Sequence, residues 1–382
     1  MNILFVSHYS DCYGANIALV NLILELLNYG VRAKVIIPEH GTIEEVLRKN
    51  DIDYEIHKFY KCKVSKNSFK LKNIIKIILN YILYSINEKK INAKEFDIIH
   101  SNSSCTDYGA YLADKKKLPH VWHYREFGYD DYNLVSLYNE KIVTKLYKKT
   151  TVRIAISNSI KEYYENKYYP LKFELIYDGV KNLNKVTNYC DSESDKVKFC
   201  VVGLINQKKN QIEILKACQV LKRQGINNYI VHILGGGNEE YLNRLKILVN
   251  HLGLNDNIFF NGYIKNASEV LRNYDVGIIS SFKEGFGLVT IEYMFAGLPV
   301  IGNNTGATPE LIIEGYNGIL FESNNDGSDL AKCMRKYIEN KNIIKEHGEN
   351  GRKRALKYFS SETNTKNIYE VYLDICARNY NK

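Results

Sequence analysis

Short apolar runs alternate with longer amphipathic segments along almost the whole chain. The apolar run Asn2–Ser7 is followed by Ile17–Leu27, in which apolar residues recur at helical spacing. A second β-like run, Ala33–Ile37, ends at Pro38. Short buried strands that alternate with helices are typical of parallel sheets covered by helices on both faces. We therefore expect an α/β fold.

The alternation is interrupted by Lys181–Lys196, a polar segment with the composition of a linker. A chain of 382 residues is too long for one ordinary domain and suits two. We place the domains at 1–180 and 195–360, and we expect a last helix at Ser361–Asn379. Further strands are expected at Ile98–Ile99, Val121–Trp122, Arg153–Ile156, Lys198–Val202, Tyr229–Leu234, Asn257–Phe260, Val276–Ile279 and Pro299–Ile301, with helices at Gln211–Arg223 and Glu239–His251.

Composition and charge limit the possible binding partners and the compartment of the protein. Hydrophobic residues make up 45% of the chain, which is enough for two cores. The net charge of +9 suits an anionic partner such as a nucleotide, a nucleic acid or an acidic membrane, although it equally fits a general preference for lysine. Eight cysteines are scattered without a CxxC pair or a Cys/His cluster, which predicts a reducing compartment and hence the cytoplasm.

The chain shows no pattern of a signal peptide or of a membrane span. Its start, MNILFVSHYS, leads straight into a strand, and its most apolar stretch, Ile74–Ile86, is short and contains Lys76 and Asn80. The segment Lys58–Asn87 has seven lysines, no acidic residue and many isoleucines and leucines. Such a basic, amphipathic stretch indicates docking on an anionic membrane or a lipid-linked acceptor, or else an ordinary packed helix with a solvated lysine face.

The segment SSFKEGFGLVTIEYMFAGLPVI, residues 280–301, has the strongest chemical pattern. Seven residues separate Glu284 from Glu292, and Gly285 and Gly287 lie between them at the start of an expected helix. Glycines allow the backbone to approach a ligand closely, and a helix start offers free N–H groups to a diphosphate. The Glu292 carboxylate can accept hydrogen bonds from two ribose hydroxyls, and Glu284 can accept from sugar hydroxyls.

This segment resembles the E-x7-E signature of retaining glycosyltransferase family four, which has the GT-B fold of two Rossmann-like domains facing across a cleft. Residues 202–211, VGLINQKKNQ, resemble the turn in which the family has an Arg and a Lys for the donor diphosphate. Lys209 matches that Lys, whereas Leu204 stands where the family has Arg, so Lys208 or the helix start is expected to compensate. The final helix, 361–382, resembles the one that completes the first domain of this fold.

Other matches to the family follow in the expected order. Leu234–Gly237 resembles its Gly-rich turn, Phe260–Ile264 its nucleotide base pocket, and Tyr177–Val180 its hinge entry. The glycines fit plain strand-to-helix turns equally well. The resemblance implies donor binding by Gly14, Lys209, Gly236, Tyr263, Ile264, Glu284, Gly285, Phe286, Gly287, Leu288 and Glu292.

Three histidines of the first domain, His8, His100 and His123, each follow a predicted strand, where α/β sheets bind ligands. His123 resembles the family histidine near the reacting sugar, and we expect it and Glu284 to act in catalysis. For His8 and His100 a structural role is equally compatible with the sequence. Arg125 and Glu126 fit either acceptor binding or surface pairing.

The resemblance implies transfer of a sugar, with retention, from a nucleoside diphosphate sugar, UDP by family precedent, to a saccharide or lipid-linked acceptor. No metal cofactor is expected, because the single Asp-x-Asp, Asp51–Asp53, lies away from every other motif. The sequence also lacks a Gly-Lys-Ser/Thr phosphate loop and a Gly-x-Gly-x-x-Gly fingerprint. The rivals are a sugar-nucleotide epimerase of the same fold and a nucleic-acid-binding protein, for which no binding module is evident.

Overall fold

The structure, a computed structural model, describes residues 1–182, 196–265 and 267–380. Most of the polar segment 181–196, including Cys190, therefore lies outside the described residues. The chain divides into two units, one formed by Met1–Lys181 with Ser361–Lys382 and the other by Asn182–Ser360. The chain thus passes from the first unit into the second and returns to the first for its final helix.

The first unit is built on a seven-stranded parallel sheet with the order β3-β2-β1-β5-β6-β8-β9. Strands β4 and β7 form a separate antiparallel pair. The strands are β1 Asn2–Val6, β2 Arg32–Ile37, β3 Asp53–Ile56, β4 Lys63–Ser65, β5 Ile98–Ser101, β6 His120–Tyr124, β7 Leu134–Ser136, β8 Val152–Ala155 and β9 Glu174–Leu175.

Helices cover both faces of this sheet. They are α1 Gly14–Leu27, α2 Ile43–Lys49, α3 Lys70–Asn87, α4 Tyr108–Lys116, α5 Tyr129–Tyr132, α6 Glu140–Lys149, α7 Asn158–Lys167 and, from the end of the chain, α14 Ser361–Tyr380. One core joins α1 and α14 to the sheet, and Ile368 and Tyr372 of α14 are fully buried in it. A second core on the other face includes Tyr84 of α3 and Leu112 of α4.

The second unit has a six-stranded parallel sheet with the order β12-β11-β10-β13-β14-β15. Its strands are β10 Val197–Val202, β11 Tyr229–Leu234, β12 Ile258–Gly262, β13 Val276–Ile279, β14 Val300–Asn303 and β15 Gly318–Phe321. Its helices are α8 Gln211–Arg223, α9 Glu239–His251, α10 Leu288–Phe295, α11 Thr308–Leu311, α12 Ser328–Glu339 and α13 Asn342–Tyr358. The expected α/β architecture with parallel sheets is thereby confirmed.

Helix α3 exposes most of its apolar side chains. Its buried residues are Asn80, Tyr84 and Asn87, so the face that packs on the unit is polar or aromatic. The exposed apolar residues of the helix are Leu71, Ile74, Ile75, Ile78, Tyr81, Ile82 and Ile86. The helix thus packs on the unit through Asn80, Tyr84 and Asn87 and leaves an apolar face exposed. Among the described residues, no helix combines the length and apolar content that crossing a bilayer requires.

Candidate active site

The strand order of the second unit defines where a ligand would bind. Its first strand, β10, lies between β11 and β13, so the direction of winding reverses between β10 and β13. Open parallel sheets bind ligands at this point, outside the carboxyl ends of the strands. The segment after β10 contains Lys209, and the segment after β13 contains Glu284 and Gly287. The site predicted from sequence therefore falls at the switch point of the sheet.

Hydrogen bonds hold these two segments together. The backbone N–H of Phe282 donates to the carbonyl of Lys208 at 3.0 Å, and the Ser280 hydroxyl donates to the carbonyl of Lys209 at 2.7 Å. The Asn206 side chain accepts from the N–H of Lys209 at 3.0 Å and so shapes the turn from which that lysine extends. Two segments far apart in sequence thus form one rigid edge.

Lys209 and Glu284 form an ion pair at this edge. The Nζ of Lys209 donates to the Oε1 of Glu284 at 2.6 Å, and both side chains are half-buried. Burial acts to raise the pKa of Glu284, but the charge and hydrogen bond of Lys209 outweigh it, so the pKa lies below its usual value. The sequence suggested a separate donor contact for each residue, whereas the structure shows that they contact each other.

The start of α10 presents free backbone N–H groups beside this pair. Gly287 caps the helix with a φ of +102°, a conformation that favours glycine. Among the described residues, the N–H groups of Leu288 and Val289 have no hydrogen-bond acceptor. Gly285 is half-buried nearby, whereas the Phe286 ring is buried against Phe359, with 5.9 Å between ring centroids. Phe286 therefore supports the turn through its side chain.

Glu292, the second glutamate of the pattern, differs from Glu284 in its surroundings. Its carboxylate has no hydrogen-bond or ion-pair partner among the residues that the structure describes. Burial raises its pKa to about 7. The two glutamates, eight positions apart, thus occur once as a paired anion and once as an unpaired, readily protonated acid. An unpaired carboxylate on a helix beside free N–H groups is suited to accept hydrogen bonds from ligand hydroxyls.

Gly236, Tyr263 and Ile264 lie at the ends of the next two strands. The carbonyl of Gly236 accepts from the N–H of Ile205 at 2.8 Å, which ties this turn to the segment after β10. A Cβ atom added to Gly236 would lie 3.7 Å from the Cβ of Tyr263, whose side chain is exposed. Ile264 is half-buried. The structure thus brings Gly236 and Tyr263 together.

Two features of this edge depart from or add to the sequence predictions. Leu204, which replaces the family arginine, is exposed and offers no charge. Gly306 was not predicted, although a Cβ atom there would lie 2.5 Å from the carbonyl oxygen of Glu284, and the N–H of Ala307 donates to that oxygen at 3.0 Å. The sequence signal for this support was a glycine after a strand, followed by Pro309 in the first turn of a helix.

The first unit has its own switch point, between β1 and β5. His8 and Gly14 follow β1, and Gly14 is exposed as the first residue of α1. The Asn16 side chain accepts from the Ser7 hydroxyl at 2.6 Å and donates to the carbonyl of Asp11 at 2.8 Å. These bonds fix the loop before α1. The helix begins three residues earlier than the apolar pattern suggested.

His100 and His123 lie within β5 and β6, so the prediction that they follow their strands was wrong. Both are fully buried, and a hydrogen bond of 3.2 Å joins the Nε2 of His100 to the Nδ1 of His123. The Nδ1 of His100 bonds the Tyr372 hydroxyl of α14 at 2.5 Å. Burial, reinforced by Arg125, holds the pKa of both imidazoles well below the usual range. The Nε2 of His123 is buried without a partner among the described residues.

Arg125 and Glu126 are buried, so surface pairing does not describe them. The guanidinium of Arg125 pairs with Asp178 and donates through Nε to the Asn102 side chain at 3.0 Å. Asp178 belongs to the predicted hinge entry, and its partner lies 53 positions earlier. Glu126 accepts from the Ser103 hydroxyl at 2.9 Å. Both residues thus stabilise the carboxyl ends of β5 and β6.

No cluster of three or more His, Cys, Asp or Glu side chains suited to a metal ion occurs in residues 1–182, 196–265 and 267–380.

Comparison with known proteins identifies both units. Residues 13–181 match the model of Glycosyltransferase Family 4, and residues 190–354 match that of Glycosyl transferases group 1. An uncharacterised glycosyltransferase of Methanocaldococcus jannaschii is 29% identical over 68% of each chain. The UDP-Gal:α-D-GlcNAc-diphosphoundecaprenol α-1,3-galactosyltransferase of Escherichia coli is 23% identical over 85% of each chain. The structure of Anabaena HepE in complex with UDP is similar with a TM-score of 0.79 and 19% identity, over 98% of this chain and 100% of that one.

The fold and the two matches define the protein as a glycosyltransferase with the GT-B fold. The first unit matches the Family 4 model and the second matches the group 1 model, so the chain carries both domains of a glycosyltransferase of the family 4 type.

Proposed function

We propose that this glycosyltransferase transfers a hexosyl group from a UDP-sugar to an acceptor hydroxyl with retention of anomeric configuration. The observation that carries the proposal is the edge of the second unit, where Lys209 pairs with Glu284 just before α10, and where α10 itself has free N–H groups at its start and the unpaired Glu292 further along. This combination offers positive charge for a diphosphate and an acceptor for ribose hydroxyls. Relatives of similar sequence act on nucleotide sugars, as the E. coli galactosyltransferase does, and Anabaena HepE binds UDP.

Each group at this edge has a role in donor binding. Glu292 would accept from the two ribose hydroxyls, and Lys209 with the N–H groups of Leu288 and Val289 would bind the diphosphate. Glu284 would position Lys209 and accept from a sugar hydroxyl. The turn at Gly236, with Tyr263 and Ile264, would line the base pocket. Gly14 of the first unit, exposed at the start of α1, would approach the donor phosphates.

In this reaction the main catalytic task of the protein is to stabilise negative charge on the leaving diphosphate. Lys209 and the positive end of α10 would supply that stabilisation. In the front-face route that the family resemblance implies, the leaving diphosphate accepts the proton of the acceptor hydroxyl, and no covalent nucleophile is needed. His123, held neutral by burial, would orient the reacting sugar through its unpaired Nε2. No step in this route requires a metal ion, and we propose that the enzyme acts without one.

The acceptor is proposed to be a saccharide, either free or linked to a lipid, as in surface polysaccharide or glycolipid assembly. The E. coli relative transfers to a sugar carried on diphosphoundecaprenol. We propose a cytoplasmic enzyme that docks on the inner face of the cell membrane through α3. The exposed isoleucines of this helix offer an apolar surface, and Lys61, Lys66, Lys70 and Lys72 around it are exposed. Lys63 is excluded, because it is not exposed like the other four and its Nζ bonds the hydroxyls of Ser104 and Tyr164 inside the unit.

The test incubates the purified protein with a panel of UDP-sugars, with and without saccharide and lipid-linked acceptors. We expect transfer to one acceptor class, retained configuration by NMR, slow hydrolysis without acceptor, and equal rates in EDTA. Inverted configuration would refute retention, and turnover lost in EDTA but restored by Mg²⁺ would refute metal independence. Interconversion of sugars without an acceptor would instead show an epimerase, and binding of nucleic acid with no turnover would favour the non-enzymatic alternative.

A further inference from the structure

A cavity of about 490 Å³ lies on the first unit beside the exposed face of α3. Its walls come from α3, α4 and α6, and α4 packs against both of the other helices. The volume is within the range of small-molecule sites and too small for a partner protein's helix. None of the residues assigned above to donor binding or catalysis lines it. The apolar lining consists of Ile77, Ala110, Ala113, Leu118, Ile142 and Leu146.

The polar groups in the depth of this cavity are already hydrogen-bonded within the protein. Asp107 accepts from the Tyr84 hydroxyl at 2.6 Å. His120 bonds the hydroxyl of Thr150 at 3.2 Å and that of Ser101 at 2.9 Å. Because these groups already have hydrogen-bond partners, the deep part of the cavity is suited to an apolar ligand and not to a sugar or a nucleotide.

Positive charge surrounds the mouth of the cavity. Lys117, Lys145 and Lys149 line it and are exposed, and the one exposed carboxylate of the lining, Asp114, is paired with Lys149 at 2.9 Å. Tyr81 belongs both to this lining and to the exposed apolar face of α3, so the cavity adjoins the proposed membrane-docking surface. An apolar depth with a cationic mouth is complementary to a hydrocarbon chain that ends in a phosphate.

We propose that this cavity binds the first part of the hydrocarbon chain of a lipid phosphate or diphosphate, the carrier of the lipid-linked acceptor, with its phosphate at Lys117 and Lys145. The proposal rests on the proposed function, which it makes more specific by naming a carrier lipid as part of the substrate. The membrane surface on α3 holds the enzyme near the bilayer, whereas this cavity selects a single lipid from it.

Two isoleucines allow a matched test. Ile142 lines the cavity and is 45% exposed, whereas Ile78 does not line it and is 55% exposed on the outer face of α3. Ile142→Ser and Ile78→Ser remove similar apolar area at similar cost to the fold. Binding of geranylgeranyl monophosphate below its micelle concentration is measured by calorimetry, with inorganic phosphate as a second probe. A third variant, Lys145→Gln, is compared with Lys141→Gln on the same helix, outside the lining.

We expect Ile142→Ser to weaken binding of geranylgeranyl monophosphate about tenfold, and Ile78→Ser to leave it within about twofold of wild type. Lys145→Gln should weaken it more than Lys141→Gln, and inorganic phosphate should bind far more weakly than the lipid. Equal binding by Ile142→Ser and wild type would overturn the proposal. So would equal losses from both isoleucine variants, which would indicate general partition onto the membrane face.

The same variants separate this proposal from the proposed function. If the cavity binds the carrier, Ile142→Ser raises KM for a lipid-linked acceptor and leaves KM for a water-soluble saccharide unchanged. Transfer to both acceptors with unaltered KM would overturn the cavity and preserve the transferase. Absence of transfer by wild type to any acceptor, with lipid binding intact, would refute the transferase and leave the lipid site standing.

Discussion

At the residue scale, the two glutamates of the E-x7-E pattern carry the same carboxyl group but differ in pKa because their surroundings differ. Glu284 is kept ionised by Lys209, whereas the pKa of Glu292 is raised to about 7 by burial. Even partial burial of an unpaired carboxylate carries a cost in free energy, and carboxyl groups with a strongly raised pKa occur often at functional positions. Donor hydroxyls would supply the hydrogen bonds that Glu292 lacks.

Donor affinity should therefore depend on pH through Glu292. In the proposed ribose role, the hydroxyls would bind the ionised carboxylate, so donor binding would lower the pKa of Glu292 and release a proton. Below about pH 7, where the free acid is protonated, affinity should fall by up to about tenfold per pH unit, and above it affinity should level off. Calorimetry with a UDP-sugar measures this cleanly, because its diphosphate is esterified at both ends and lacks the second phosphate ionisation near about pH 6.

Glu292→Gln serves as the control. It should bind the donor more weakly at pH 8, with no pH dependence of this kind, and yet unfold at a higher temperature. A carboxyl group whose pKa is raised on folding stabilises the fold at low pH and loses that contribution as pH rises through about 4.5 to 7. Its replacement should therefore add about 1–2 kcal/mol of stability at pH 8. Unchanged donor affinity in the variant would contradict the ribose role.

Single residues were predictable from sequence only where a local pattern marked them. Glu284, Glu292 and Lys209 stand in short motifs, whereas the contact between Lys209 and Glu284 joins positions 75 apart. The bond between His100 and Tyr372 joins positions 272 apart. Neither pair follows from composition or spacing, because only the sheet order and the return of the chain bring its members together.

At the element scale, several elements of the second unit were predicted most closely. Gln211–Arg223, Tyr229–Leu234 and Glu239–His251 have the bounds that their apolar patterns predicted. The short strands β3, β4, β7 and β9 were missed because they consist mostly of exposed or half-buried residues and lack an apolar run. Strand β15 was also missed, although it is mostly buried. Helix α3 is the opposite case, because it has an apolar run that is mostly exposed. A run of isoleucines does not show which side of a helix packs against the rest of the protein.

Charge removal around α3 should weaken membrane binding. We expect the combined replacement of Lys61, Lys66, Lys70 and Lys72 by Gln to lower sedimentation with anionic vesicles at least tenfold at low salt, since each lysine near an anionic surface contributes about 1 kcal/mol. Affinity for free UDP-sugar should not change.

A matched variant removes the same charge from the second unit, where Lys246, Lys336, Lys345 and Lys353 are exposed. It should sediment like wild type. Equal loss from both variants would reveal a general charge effect and would contradict a docking surface on α3.

At the scale of the whole molecule, the final helix belongs to the first unit although it follows the second in sequence. Ile368 of α14 is fully buried in the core that joins this helix to α1 and the sheet. Ile338 of α12 is almost fully buried in the core of the second unit. The same substitution, Ile to Ala, can therefore be made in the core of each unit and the two effects compared.

Ile368→Ala should lower the stability of the first unit by about 2–5 kcal/mol, the usual cost of such a truncation in a core. Hydrogen exchange measured by mass spectrometry should then accelerate in β1, β5 and β6 and remain unchanged in β10 and β13. Ile338→Ala should instead accelerate exchange in β10 and β13 and leave it unchanged in β1, β5 and β6. Equal acceleration in both units from either variant would show that they unfold as one.

The return of the chain also sets an order for folding during synthesis. When residue 181 has been made, the first unit still lacks α14 and the partners that Ile368 and Tyr372 supply to its core. The ribosome must add the whole of Asn182–Ser360 first, which takes about 10–40 s at typical elongation rates. The second unit can therefore fold while the first waits with part of its core exposed. The portion of the enzyme that is translated first is the portion completed last, and chaperones would meet it during that interval.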